Sequence, residues 1–193
     1  MSKDIERKIA VIFVTDVVGF SKSMEKNEDE TLRSFRSCRD ILDNLFKEHG
    51  GRIFNTAGDS VLAEFQSAVS AVICAKEFQN LIRERNANVS EEAKMHFRIG
   101  LNMGDVIVEG ENLYGEGVNV AARLEALSQP DGVCLSKSIL DFVNKKTELN
   151  FHDLGEQKVK NTTVHAFDLS NPELEQRTLN QQTPSEEEVS KPP

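Results

Sequence analysis

Hydrophobic and polar positions in this chain alternate between two periods, and the switches mark its elements. Lys8 to Val14 is β-branched and almost continuously apolar, the pattern of a strand buried on both faces. From Ser21 to Glu48 the apolar positions Leu32, Phe35, Cys38, Leu42 and Leu45 recur three and four apart. That spacing predicts one long helix, stopped by His49-Gly50-Gly51 and capped and solvated by the acidic patch Asn27-Glu-Asp-Glu30. Arg52–Asn55 and Ser60–Phe65 read as a hairpin turning at Ala57-Gly58-Asp59. Ser67–Asn86 reads as a second amphipathic helix. His96–Glu109 alternates as a strand or hairpin pair, with a break at Asn102-Met-Gly104. A third helix is expected over Gly117–Leu127, a short strand over Gly132–Leu135, a short helix over Ser136–Val143 and a last hairpin over Phe151–Leu169. Phe35, Phe46, Phe65 and Phe97 are core candidates. The order β-α-β-β-α-β, with further α and β after it, predicts an α+β fold: a ferredoxin-like core with an appended αβ subdomain.

Composition bounds this picture. The 193 residues suffice for one domain with a sizeable core. Four of the five prolines, and the run Glu186-Glu-Glu188, lie beyond Ser170. Such a segment buries too little apolar surface to offset its ordering entropy, so residues 1–169 are expected as the domain and 170–193 as a disordered tail or linker. A regulatory domain beyond that linker is an expected partner. The net charge of −9 argues against nucleic-acid binding. Cys38, Cys74 and Cys134 match neither a disulfide framework nor a zinc pattern. The N-terminus has no signal-peptide core and no apolar run approaches the ~20 residues of a membrane span. A cytoplasmic location is the expectation.

Two carboxylates carry the candidate chemistry. Asp16 ends the first apolar strand in Phe13-Val-Thr-Asp-Val-Val-Gly-Phe-Ser21, and Asp59 sits at a hairpin tip in Thr56-Ala-Gly-Asp-Ser60. A carboxylate at a buried strand end is costly unless paired, hydrogen-bonded or metal-bound. Alone, either aspartate reads as a cap or turn residue. Together, at ends of adjacent strands, they suit two divalent cations, Mg²⁺ or Mn²⁺, holding a polyphosphate. Val17, Val18, Gly19 and Phe20 lead into a helix whose free N–H groups suit a phosphate. Asn119 and Arg123, four apart on a helix, share one face and form a donor cluster for charge on a phosphoryl group, or else are a surface pair.

The set FVTDVVGFS, GGRIFNTAGDSVLAEF, RIGLNMGDVIVEG and YGEGVNVAARLE resembles the class III nucleotidyl cyclases over roughly Lys8 to Leu169. The resemblance implies that fold, with Asp16 and Asp59 as metal ligands, the Val17 backbone beside them, and Asn119 and Arg123 as the transition-state pair. It places a phosphate-binding lysine at Lys160, with Lys158 close by. It implies an intramolecular reaction: the ribose 3′-oxygen attacks the α-phosphorus and pyrophosphate leaves. It also implies a homodimer, with metal aspartates from one copy and the Asn/Arg pair from the other, and Glu109–Gly117 with Tyr114 as an interface arm.

The base-selecting positions depart from the family pattern. Adenylyl cyclases usually carry Lys where this chain has Asn55, and Asp or Thr at Asn112; guanylyl cyclases usually carry Glu and Cys. An asparagine amide both donates and accepts, so it can meet the N6/N1 edge of adenine or, rotated, the O6/N1 edge of guanine. ATP is the favoured substrate and GTP the alternative. A dual-specificity enzyme and a catalytically silent nucleotide-binding module stay open. A cyclic-dinucleotide synthase is disfavoured, because Ala57-Gly58-Asp59-Ser60 only partly echoes that family's signature.

Overall fold

A computed structural model describes residues 5–179. Strand β1 (Glu6–Val17) leads through helix α1 (Phe20–Lys26) and helix α2 (Glu28–His49) to the hairpin β2 (Gly51–Ala57) and β3 (Ser60–Phe65). Helix α3 (Ala68–Ala87), a 3₁₀ turn (Glu91–Ala93), strand β4 (Phe97–Glu109), strand β5 (Asn112–Tyr114) and helix α4 (Glu116–Leu127) follow. Strand β6 (Val133–Ser136), helix α5 (Lys137–Val143) and the hairpin β7 (Phe151–Val159) and β8 (Thr162–Leu169) complete the order.

One sheet runs β2-β3-β1-β4-β6-β8-β7, with β5 folded back on β4. Strand β1 is antiparallel to both β3 and β4, β4 and β6 are parallel, and β8 is antiparallel to β6 and β7. The stretch β2-β3-β1-β4 is the expected ferredoxin-like core. Strand β1 is covered on both faces, which explains its unbroken apolar run. Val11, Phe13 and Val17 join α2, α3 and α5 in the larger core. Ala10, Ile12 and Val14 face α4 with Val118 and Ala121. Asp16 shares the parity of this second set, so it belongs to the α4 face of the sheet.

Two expectations need correction. The helix expected over Ser21–Glu48 is two helices, because Asn27 is extended (φ −156°) and its side chain accepts the Glu30 N–H. The capping role expected for Asn27–Glu30 thus starts α2 rather than the first helix. The break expected at Asn102-Met-Gly104 is absent: β4 runs straight through. Asn102 is buried there and donates to the Gly117 carbonyl at 3.0 Å, tying β4 to the start of α4. A polar side chain in a strand can thus serve tertiary packing instead of a turn.

Phe46, Phe65 and Phe97 are buried, and Phe35 packs half-buried against Phe20. Burial pushes the Cys38 thiol up to about 11 and those of Cys74 and Cys134 to about 12, so all three are inert core residues. Residues 170–179 carry no regular element, but Arg177 pairs with the buried Asp168 through two bonds of 2.8 and 2.9 Å. The rest of the expected tail, 180–193, lies outside the described residues. No helix among the described residues is long and apolar enough to cross a membrane.

Candidate active site

The antiparallel register of β1 and β3 sets Thr15 opposite Val61. The next residues of β1 therefore face the tip of the β2–β3 hairpin. Asp59 closes the gap: its Oδ2 accepts the Val17 N–H at 2.8 Å. Asp16 and Asp59, distant in sequence, are thus neighbours through one bond, with the Val17 backbone between them. Both are half-buried. Asp16 Oδ1 is buried without a hydrogen-bond donor among the described residues. An orphaned buried carboxylate oxygen beside a second carboxylate fits a divalent cation, and the oxygen-only set suits Mg²⁺ or Mn²⁺.

The segment after Asp16 turns through Gly19, which is left-handed (φ 67°) and caps α1. The Val18 N–H donates to the His96 carbonyl at 2.8 Å, so this amide is committed to the fold and is not a free phosphate donor. Ser23 is the first amide of α1 to bond back, to Gly19. The amides of Gly19 and Phe20 precede that ladder, as the free donors of a helix start do.

Helix α4 sits on β4 at unusually close range. A Cβ on Gly100 would lie 2.2 Å from the Glu125 nitrogen and 2.4 Å from the Ala121 carbonyl oxygen. This backbone-to-backbone seat delivers Glu125 to Asp16. Glu125 is buried, and its Oε1 has no hydrogen-bond donor among the described residues. Burial, then contact with the Asp16 carboxyl, holds the Glu125 carboxyl well above the usual carboxylate range. Arg98, opposite Asp16 in the β1–β4 register, works in the other direction, with its Nε committed to the Ser128 carbonyl. Neither Glu125 nor Arg98 was singled out from sequence. The available signal was a carboxyl in step with the apolar stripe Val118, Ala121 and Leu124.

Arg123 points elsewhere. Two residues from Glu125, it is turned by about 200° around the helix. Its Nη1 donates to the Thr162 Oγ1 at 3.0 Å, at the start of β8. Asn119, on the same face, is exposed. Lys160 is exposed in the β7–β8 turn with φ 54°, two residues from Thr162. The fold therefore gathers Asn119, Arg123 and the Lys160 turn on one side. Asp16 and Asp59 are gathered on another, roughly three strand spacings or ~14 Å across the sheet. A cleft of about 310 Å³ lined by Gly104, Glu116, Val120, Lys137 and Thr162 meets the first group at Thr162, the partner of Arg123, and is not lined by Asn119, Arg123 or Lys160 themselves.

The two asparagines lie on adjoining elements. Asn55 is exposed on β2, just after a register shift. Asn112 opens β5; its Nδ2 donates to the Tyr114 hydroxyl and its Oδ1 accepts the Leu113 N–H. Arg52 joins the two regions, donating to the Glu111 carbonyl at 2.6 Å and to Glu64 at 3.1 Å. Tyr114, paired with Ile107 at the base of this arm, is 46% exposed. Apart from these, Glu48, His49 and Glu77 bring ligand atoms within 4.8 Å of one another on the α2–α3 layer, opposite α4.

The family described as Adenylate and Guanylate cyclase catalytic domain matches residues 2–171. A putative adenylate cyclase 3 of Rhizobium meliloti (strain 1021) is 42% identical over 163 residues, 83% of this chain and 28% of its own length. An adenylate cyclase of Streptomyces coelicolor is 28% identical over 138 residues, 71% of this chain and 34% of its own. The chain thus spans about a third of these curated relatives, or less. The crystal structure of an adenylate/guanylate cyclase/hydrolase from Silicibacter pomeroyi matches with TM-score 0.80 at 35% identity, over 87% of this chain and 99% of that one. The adenylyl cyclase CyaB from P. aeruginosa, 20% identical, shares the fold with TM-score 0.75, over 92% of this chain and 100% of that one.

Proposed function

The chain belongs to the adenylate and guanylate cyclase catalytic domain family, and on that premise we propose that it is a cytoplasmic adenylate cyclase. It converts ATP to cyclic AMP and pyrophosphate at sites shared between two copies of itself. The observation that carries this reading is the bond from the Val17 N–H to Asp59, which makes one paired-carboxylate site of two distant aspartates.

Asp16, Asp59 and the Val17 carbonyl would hold two divalent cations, Mg²⁺ or Mn²⁺. Cations held there supply Lewis acidity that favours the ribose 3′-alkoxide and neutralises the triphosphate. In the reaction a bond forms between the 3′-oxygen and the α-phosphorus. The bond from that phosphorus to the β-phosphate oxygen breaks, and the 3′-proton passes to solvent. Asn119 orients the ribose, and the Arg123 guanidinium meets charge building on the α-phosphoryl oxygens. Lys160 and the Gly19–Phe20 amides hold the leaving phosphates. Arg123 is turned away from Asp16 in its own chain, so a second copy would supply the Arg123 that faces each aspartate pair; a two-fold homodimer then contains two equivalent sites. Asn55 and Asn112 read the base. The adenylate cyclase names of the relatives favour ATP, with GTP as the alternative.

The test is product formation by the purified chain with Mn²⁺ and either ATP or GTP, beside Asp16→Ala. Cyclic AMP from ATP, lost in the variant, is the expected result. Cyclic GMP instead would keep the site and reverse the base assignment. Nucleotide binding with no product from either would make the chain a silent binding module.

A further inference from the structure

Beyond β8 the chain turns at Asn171, whose carbonyl accepts the Leu174 N–H at 3.0 Å, and runs back over the sheet. Asp168 stands opposite Cys134 in the β6–β8 register and opposite His152 in the β7–β8 register. It therefore faces the apolar cluster that Cys134 forms with Val120 and Leu124 of α4. Arg177 clamps this place twice. Its guanidinium gives Asp168 bonds of 2.8 and 2.9 Å, and its carbonyl accepts from the His152 Nε2 at 2.6 Å. Two residues on, Leu179 packs against the same cluster. One arginine thus holds both strands at the base of the hairpin, beside the cluster on which α4 rests. Asp168 is 5% exposed. An apolar residue there would be no less stable than a carboxylate that needs an arginine. What the two-bond pair adds is a fixed angle as well as a fixed distance.

The far end of the same hairpin carries Lys160 and Thr162, beyond a register shift between Asp153 and Gly155. Thr162 accepts the Arg123 Nη1 bond. We propose that Arg177 is a positioning residue for the Arg123 and Lys160 half of the site: by clamping Asp168 and His152 it fixes the β7–β8 hairpin against α4, so that the Lys160 turn and the Arg123 helix keep one mutual placement. The side chains of this half stay loose while the elements that carry them are held. Arg177 acts through Asp168 and His152 and needs no contact with nucleotide or cation. The inference rests on the reading of Arg123 as the group that a second copy supplies to each aspartate pair.

The experiment uses the full chain and measures cyclic AMP formed from ATP with Mn²⁺. Arg177→Gln is expected to lower kcat about tenfold with Mn²⁺ affinity unchanged, since the aspartates lie across the sheet. Arg177→Lys keeps the charge but not the two-bond fork, and should recover only part of the loss. Mixing variants assigns the half. Arg177→Gln with Asp16→Ala should regain about a quarter of wild-type activity, because the second chain supplies a well-placed Arg123 to the aspartates of the first. Arg177→Gln with Arg123→Ala should regain none. A fault that merely loosened the chain would spoil both halves, so any other pattern of recovery overturns the proposal. The double change Asp168→Leu with Arg177→Met removes the pair without stranding a buried charge. It should melt at or above the wild-type temperature and still lose activity; full activity there also overturns the proposal. Amide hydrogen exchange needs no turnover and separates this inference from the cyclase reading. Arg177→Gln should speed exchange in α4 and at residues 159–163 and leave β1 and β3 as they are. Unchanged exchange at 159–163 overturns the proposal whether or not the chain makes cyclic AMP. Faster exchange there, in a chain whose wild type forms no cyclic nucleotide, would count against the cyclase reading and not against the clamp.

Discussion

Asp59 is held by the Val17 amide and Asp16 is packed against Glu125, whereas Asn119 and Lys160 stand exposed and Arg123 rests on one hydroxyl bond. The aspartate half is preorganised inside one chain, where buried carboxyls must be held or they would neutralise or turn away. The Asn/Arg half has little holding it, because its side chains are long, solvated and turned toward a surface. A site split in this way needs only one half to be rigid beforehand. Docking a second copy would then bring the looser half up to a fixed one, so dimerisation itself becomes a condition for chemistry.

Removing the rigid half should have the largest effect. Asp16→Ala and Asp59→Ala are each expected to lower kcat by on the order of 10³-fold while leaving the fold intact, measured as cyclic nucleotide formed by purified protein. Full activity in either would dissolve the contrast between the halves. Arg123→Ala should cost about 10²-fold in kcat with unchanged Mn²⁺ affinity, because it touches only the other half. Mixing Asp16→Ala with Arg123→Ala sharpens the comparison. Random pairing should restore about a quarter of the wild-type activity, since half of the dimers then carry one intact site of two. No recovery would mean that both halves act within one chain.

A change between the halves should act through packing. Gly100→Ala puts a Cβ into the α4 backbone and is expected to cost about 1–3 kcal/mol, a drop of several degrees in melting temperature. Helix α4, which carries Asn119 and Arg123, would be displaced by it, so activity should fall further than stability alone accounts for. The smallest effect is expected at Glu64, which ties Lys8 and Arg52 together near the Asn112 arm. Burial alone would raise its carboxyl, but bonds from Lys8 and Arg52 outweigh that and hold it below the usual value. A folded pKa below the unfolded one contributes stability above the ordinary glutamate value of 4.5, lost as pH falls through the folded pKa. Glu64→Gln should therefore cost about 1 kcal/mol at neutral pH, the cations being half-exposed, and nothing in acid below the folded pKa. Urea unfolding at a series of pH values measures it.

Much of this molecule was legible from local pattern. The period-2 and period-3.6 runs located β1, β2, β3, α3, α4 and the last hairpin, and the Asp16 and Asp59 motifs pointed to one site. The misreadings have a common cause. Asn27 interrupts a helix-period run by capping the next helix, and the apolar positions on either side carry no trace of it. Asn102 looks like a break, yet its amide finds a partner in α4, far along the chain.

The sequence by itself determined which segments become strands and helices, and that two aspartates end up at strand ends, because side-chain period and strand termini are local properties. Only the tertiary structure decided that Val17 would bridge to Asp59, that Glu125 would stand behind Asp16, and that Arg123 would face away from both. Those outcomes depend on the register of β1 against β3 and β4 and on the close seat of α4 at Gly100. Register and helix seating are settled by contacts between residues far apart in the chain, which no local period encodes.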